Sequence, residues 1–326
     1  MNLLRNLLAL LGLLAGLPTV AGSFSEDFSA KPVASGWRCH GDTNLFQWDA
    51  AHQNLRVTWD SSRTNSYFHR PLGTILTDKD DFQLSFDLTF EDYAGGVTPG
   101  KPGAFEAAVG FMNLDQAMHP DFSRGAGRNA TYGPRNLVEF DFFPAFGSFL
   151  PTIAQVIVGT NHNDWLFNHD NLQPMSPGQT FRVEMNYAAA IRILTTTVSH
   201  HAAQYGPTQT ILVPPSVVFR VATLAVSSYS DVRSQDSILA HGTVDNFQVV
   251  TPPPPVAGLF GSLLDGQWQV QFSSRSNWLY ALERSIDWTT WAVLTTNTPG
   301  NGAVLLLTDP SPPATGAGYR VRAQRP

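Results

Sequence analysis

Charge is scarce in this sequence: only 14% of its 326 residues are Asp, Glu, Lys or Arg, against about 25% in an average globular chain. Disorder needs many charges and few aromatics, and at 11% aromatic this chain does not have that composition. A cationic surplus is also missing. The formal net charge is -6, so no basic patch for nucleic acid is advertised. Cysteine is reduced to Cys39, which excludes an intrachain disulfide and leaves the fold to rest on its core. With no catalytic partner nearby in sequence, Cys39 reads as a small buried hydrophobe. No P-loop, dinucleotide-binding glycine pattern, zinc-ligand spacing or G-x-S-x-G elbow occurs.

What is present begins with an n-region carrying Arg5, an apolar run from Leu7 to Leu17, and the small residues of Thr19-Val20-Ala21. That order predicts a signal peptide over residues 1–21. The run is shorter than the ~20 residues that a membrane span needs. No later stretch is long and apolar enough to span. The mature chain is therefore expected to be secreted, periplasmic or on the cell surface.

Beyond it, helical periodicity is nearly absent. Short alternating segments separated by Gly, Pro, Asn and Asp predict an all-β chain. Phe82 to Phe90 alternates over nine residues, with Phe82, Leu84, Phe86, Leu88 and Phe90 on one face. That is the pattern of a half-buried sandwich strand. Further strands are expected at 24–28, 55–59, 107–112, 137–143, 153–158, 181–187, 191–199, 219–227 and 242–250. The long polar loop between Asn113 and Asn136 has the character of a binding loop. Thr251 to Pro255 opens a stiff proline spacer. The expected organisation is a sandwich over 22–250, a linker over 251–258 and a small C-terminal β module over 259–326.

The segment NLVEFDFFPAFGSFLPTIAQV, Asn136 to Val156, resembles the metal-binding strand and loop of legume-type lectins. The resemblance puts Glu139 and Asp141 at the first two ligand positions. Phe143 falls at the aromatic residue whose carbonyl is a ligand, followed by Pro144, and Pro151 matches a second proline. Ala145, Leu150 and Gln155 depart from it, standing where a ligand Asn, Asp and His are needed. Two carboxylates and a carbonyl fall short of calcium's six to eight oxygens. No cofactor is therefore expected, with Glu139 and Asp141 the remaining candidates for a calcium remnant.

Family-16-like glycoside hydrolases share this fold and carry E-x-D-x-(x)-E. Here Pro144 and Ala145 occupy the two places for the second Glu, and a retaining mechanism needs both carboxylates. The wider chain, through SFSEDFS, VEFDFFP and GTVDNFQVV, resembles concanavalin A-like, laminin-G-like domains of exported bacterial proteins, which implies a jelly-roll β-sandwich. The tail with YALERSIDWTTW and YRVRA resembles a small terminal β module of such proteins, a spacer or an attachment element for cell-surface components.

In a strand, residues two apart share a face. Glu139 and Asp141 therefore lie together among large apolar neighbours. Three readings stay open for them: a ligand-facing pair for sugar hydroxyls, a pair neutralised by Arg or Asn from a neighbouring strand, or a remnant cation site. Asn161, His162 and Trp165 combine amide, imidazole and indole within five residues, which suits a sugar's hydroxyl edge and apolar face. The alternative is a polar turn with a core Trp. Tyr67, His69 and Arg70 read as an edge strand, His200-His201 as turn residues, and Asn129 as a glycosylation sequon by pattern. The expected function is non-catalytic, lectin-like binding of a glycan or polysaccharide on the concave face, through Glu139, Asp141, Asn161, His162 and Trp165. The alternatives are a hydrolase or lyase of the same fold, and a structural or adhesive surface protein.

Overall fold

The structure, a computed structural model, describes residues 23–124, 133–148, 150–170, 174–314 and 316–325. The signal segment and the Asn129 sequon lie outside the described residues. Two compact units divide at Pro255 and Val256. No described helix is long and apolar enough to cross a membrane.

The larger unit is the expected all-β sandwich. Its ten-stranded sheet is built around Phe82–Gly95 and Asp236–Val250, flanked by Asn54–Asp60 and Thr180–Ala188. Its seven-stranded sheet runs in the order Trp165–Asp170, Thr152–Val158, Leu137–Phe143, Ala107–Met112, Arg220–Ser228, Ser66–Thr77, Arg38–His40. The alternating face of Phe82–Gly95 packs inward. Phe86 meets Phe140 edge-on at 5.8 Å, and Phe90 lies 4.7 Å from Phe142. Such aromatic pairs add to the burial that drives the fold. Cys39 is half-buried and packs against this core.

The Ser66–Thr77 strand is longer than the sequence suggests and is not an edge, because it pairs with Arg38–His40 on one side and Arg220–Ser228 on the other. His200 ends the Ile193–His200 strand rather than sitting wholly in a turn. Proline spacing also ends earlier than residue 258. A strand over Val256–Leu264 starts directly after Pro255. The C-terminal unit holds a three-stranded and a four-stranded sheet around Val270, Phe272, Trp278, Tyr280, Leu282 and Leu307.

Candidate functional site

The pairing registers define the outer face of the seven-stranded sheet. Glu139 lies opposite Gly110 and Val156, and Asp141 opposite Ala108 and Ala154. Ala225 follows beyond Gly110. Directly paired residues share a face, so the two acids are ringed by small side chains. Gly110 has no alternative: a Cβ there would meet the Val138 carbonyl at 2.3 Å and Glu139 Cα at 2.7 Å.

Arg124, from the loop after Ala107–Met112, fills this hollow. Its Nε donates to Glu139 Oε2 at 3.2 Å and its Nη2 to Asp141 Oδ2 at 2.6 Å. Nη1 lies 3.5 Å from Glu106 Oε1. Tyr229 donates its hydroxyl to Glu139 Oε1. The guanidinium stacks 4.7 Å above the Trp165 ring. All four charged groups are sealed, with side-chain exposures of 4% for Arg124, 3% for Glu106 and 0% for Glu139 and Asp141.

Three acids around one cation cannot all be charged cheaply in this setting. Burial pushes the Glu106 carboxyl up to about 7, with Arg124 pulling it down and Glu139 pushing it further up. Burial likewise raises Glu139 and lifts Asp141 well above the ordinary carboxylate range, against the pull of Arg124. Burial disfavours the charged form of Arg124, but Asp141, Glu106 and Glu139 outweigh it and hold the cation above its usual value.

The sequence-predicted residues separate into two groups. Glu139, Asp141 and Trp165 meet at Arg124, with Trp165 half-buried beneath the guanidinium. Neither acid reaches solvent: both Glu139 oxygens meet Arg124 or Tyr229, whereas Asp141 gives Oδ2 to Arg124 and its buried Oδ1 makes no hydrogen bond among the described residues. Asn161 and His162 sit in the turn between Thr152–Val158 and Trp165–Asp170. Asn161 Oδ1 accepts the Asn163 backbone N–H at 3.2 Å, and His162 Nδ1 lies 3.5 Å from Arg135 Nη2. The residues do not fit calcium. A guanidinium takes the two carboxylates, Leu150 is apolar and 62% exposed, and Gln155 faces the core, accepting from Thr196 Oγ1 at 2.7 Å. Among the described residues, no group of three or more His, Cys, Asp and Glu is placed to hold a metal ion.

An open cleft of about 540 Å³ lies at the end of the same strand, lined by Phe143, Phe167, Thr152, Leu150 and Asp236 among others. Phe167 is 43% exposed, contacts Phe143 edge-on at 6.5 Å and stacks on His169 at 5.1 Å. It shares the face of Glu139, since Val156 is paired to both. Asp236 packs against the backbone of Gly103, where a Cβ would come within 1.6 Å of its Oδ1. Burial raises the Asp236 carboxyl. Sequence reading missed Arg124, Glu106 and Phe167. Only Phe167 left a local sign, as the middle residue of the alternation Trp165, Phe167, His169.

No family model matches the chain, and no curated protein matches it. Solved structures with a similar fold include the legume lectin-like domain from Entamoeba histolytica, at 11% identity and TM-score 0.42, covering 69% of this chain and 95% of that one. Peanut lectin with a 9mer peptide gives 15% identity and TM-score 0.42, over 70% of this chain and 97% of that one. Lectin I from Ulex europaeus, in complex with the methyl glycoside of α-L-fucose, gives 15% and 0.41, over 71% and 97%. Likeness at this level concerns the fold, not what this chain binds.

Proposed function

We propose that the chain is an exported, non-catalytic, lectin-like protein that holds a glycan on the outer face of its seven-stranded sheet, in the cleft beside Phe143 and Phe167. One observation carries this reading: two contacting aromatic rings line an open cleft that also offers Asp236 and Thr152. Sugars need an apolar face to stack on and a few polar groups to fix their hydroxyls. Trp165 lies under Arg124 on the strand that carries Phe167, while Asn161 and His162 sit in the turn beyond Trp165, at the end of the hairpin away from Thr152. On the resemblance of the Glu139 strand to a lectin metal strand, Arg124 stands where a cation would be held, and the binding proposed is metal-independent.

A glycan array tests this with the full chain, with and without chelator. Selective binding that survives chelation and is lost in Phe167→Ala is expected. Binding to no glycan, or binding indifferent to Phe167→Ala, sinks the reading.

Glu106 supports a second reading. A carboxyl raised to about 7 beside Glu139 is the pattern of an acid–base pair. The seal over these side chains favours a structural role instead. Release of reducing ends from a polysaccharide, abolished in Glu106→Gln, would bring back the hydrolase.

A further inference from the structure

The C-terminal unit presents an unusual outer face on its four-stranded sheet. Strand Gly318–Gln324 turns Tyr319, Val321 and Ala323 toward the core and Gly318, Arg320, Arg322 and Gln324 away from it. Opposite them, Ser285 pairs with Gly318 and Glu283 with Arg320. The Ser285–Trp291 loop folds over one end. Asp287 Oδ1 accepts the Thr289 and Thr290 backbone N–H groups at 2.9 and 2.7 Å, and Ser285 Oγ accepts that of Trp288 at 2.7 Å. These bonds fix Trp288 at φ +62°, with its side chain 73% exposed. The indole lies over Gly318, where a Cβ would meet it at 2.7 Å. Trp291 meets Trp288 edge-on at 6.3 Å, and the Arg320 guanidinium stacks on Trp291 at 4.1 Å.

Around Glu283 the arginines outnumber the acid they share, with Asp287 a second carboxylate in the adjoining loop. Arg320 and Arg322 both donate Nε to the single Glu283 carboxylate, at 2.7 Å each, while their side chains stay 52% and 46% exposed. Residues 256–326 hold five arginines against four acids, in a chain whose net charge is -6. From Gly318 to Gln324 the face runs about 20 Å at the rise of an extended strand.

We propose that this face is a second saccharide site, separate from the sandwich cleft, and that it takes an anionic polysaccharide of the polyuronate class. Trp288 stacks on the apolar face of a sugar ring. Arg320 and Arg322 pair with carboxylates, for which the guanidinium fork is shaped. The site does not depend on what the sandwich binds.

Affinity electrophoresis of the full chain tests it, with polygalacturonate or neutral dextran in the gel. Polygalacturonate should retard the wild type, salt should weaken the effect, and dextran should not retard it. Trp288→Ala and Arg320→Gln should each bind about tenfold more weakly, a loss near 1.4 kcal/mol. Phe167→Ala should run as wild type in polygalacturonate, which separates this site from the sandwich cleft. Circular dichroism confirms folding, and Arg320→Gln decides the matter if Trp288→Ala does not fold. Retardation unchanged in both variants overturns the proposal. So does an absence of retardation, including the case where phosphatidylserine vesicles bind through Trp288 and polygalacturonate does not.

Discussion

The two units solve opposite problems with the same ion-pair chemistry. In the sandwich one arginine, Arg124, is shared by three acids, and all are sealed from solvent. In the C-terminal unit one acid, Glu283, is shared by two arginines whose side chains remain about half exposed. The buried cluster must be completed from within, because no solvent reaches it. Burial pushes its acids toward their neutral forms, and the Arg124 guanidinium stacks on Trp165. The exposed cluster can leave its surplus charge for a partner.

Removing one arginine from each cluster separates the two most sharply. Arg124→Met leaves buried acids without their cation and should cost about 3–5 kcal/mol, much of the stability of an ordinary domain. Arg320→Gln removes a half-exposed arginine and leaves the buried Glu283 its bond to Arg322, so it should cost under about 1 kcal/mol. Urea unfolding of both variants checks this, and equal losses would break the comparison.

Proton linkage should also differ in sign. From the ordinary value of 4.5 up to about 7, folded Glu106 holds a proton that the unfolded chain has released. Stability therefore falls as pH rises through that window and levels off above it. Glu139 and Asp141, also raised by burial, act in the same direction. Calorimetry should give a lower Tm for the sandwich at pH 8 than at pH 5.5, with Glu106→Gln flattening the slope. A Tm that rises would contradict the buried-acid account. In the C-terminal unit, hydrogen bonds from the Thr290 side chain and backbone hold Asp287 below the carboxylate range. Its contribution is present above that range and is lost as the pH falls through the lowered value.

A smaller effect is expected at Trp165. Trp165→Ala removes the ring under Arg124, and a cation–π contact of this kind is worth about 0.5–2 kcal/mol. A thermal melt should register that loss even without glycan. An unchanged Tm would mean that Arg124 does not lean on the ring. The smallest effect is that of a chelator, which should leave the Tm where it is.

The sequence makes the frame legible and the charge partners illegible. Phe82 to Phe90 and Leu137 to Phe143 carry their faces in their own alternation, so the sandwich and the inward side of each strand follow directly. Ser66–Thr77 is obscured because His69, Arg70 and Pro71 interrupt its apolar pattern, although its pairing on both sides makes it a central strand. Val256–Leu264 is hidden by the prolines before it. Of the three readings left open for Glu139 and Asp141, the structure shows pairing with an arginine, but one from a loop rather than a neighbouring strand. Arg124 is 15 residues from Glu139 and Glu106 is 33 away, and neither sits in a periodic segment that could announce it. Such a cluster is assembled by topology, which single-strand patterns do not record.

The Trp288 loop has a consequence for recognising other chains. Its indole keeps its place only because residue 318 has no side chain, so the two positions depend on each other across 30 residues. Ser-x-Asp-Trp-x-x-Trp followed by Gly-x-Arg-x-Arg is thus a signature written in structural roles: two caps, a displayed ring, its neighbour, a bare shelf and a pair of forks. A chain that has the first half with alanine at the shelf would have the motif's letters without its platform.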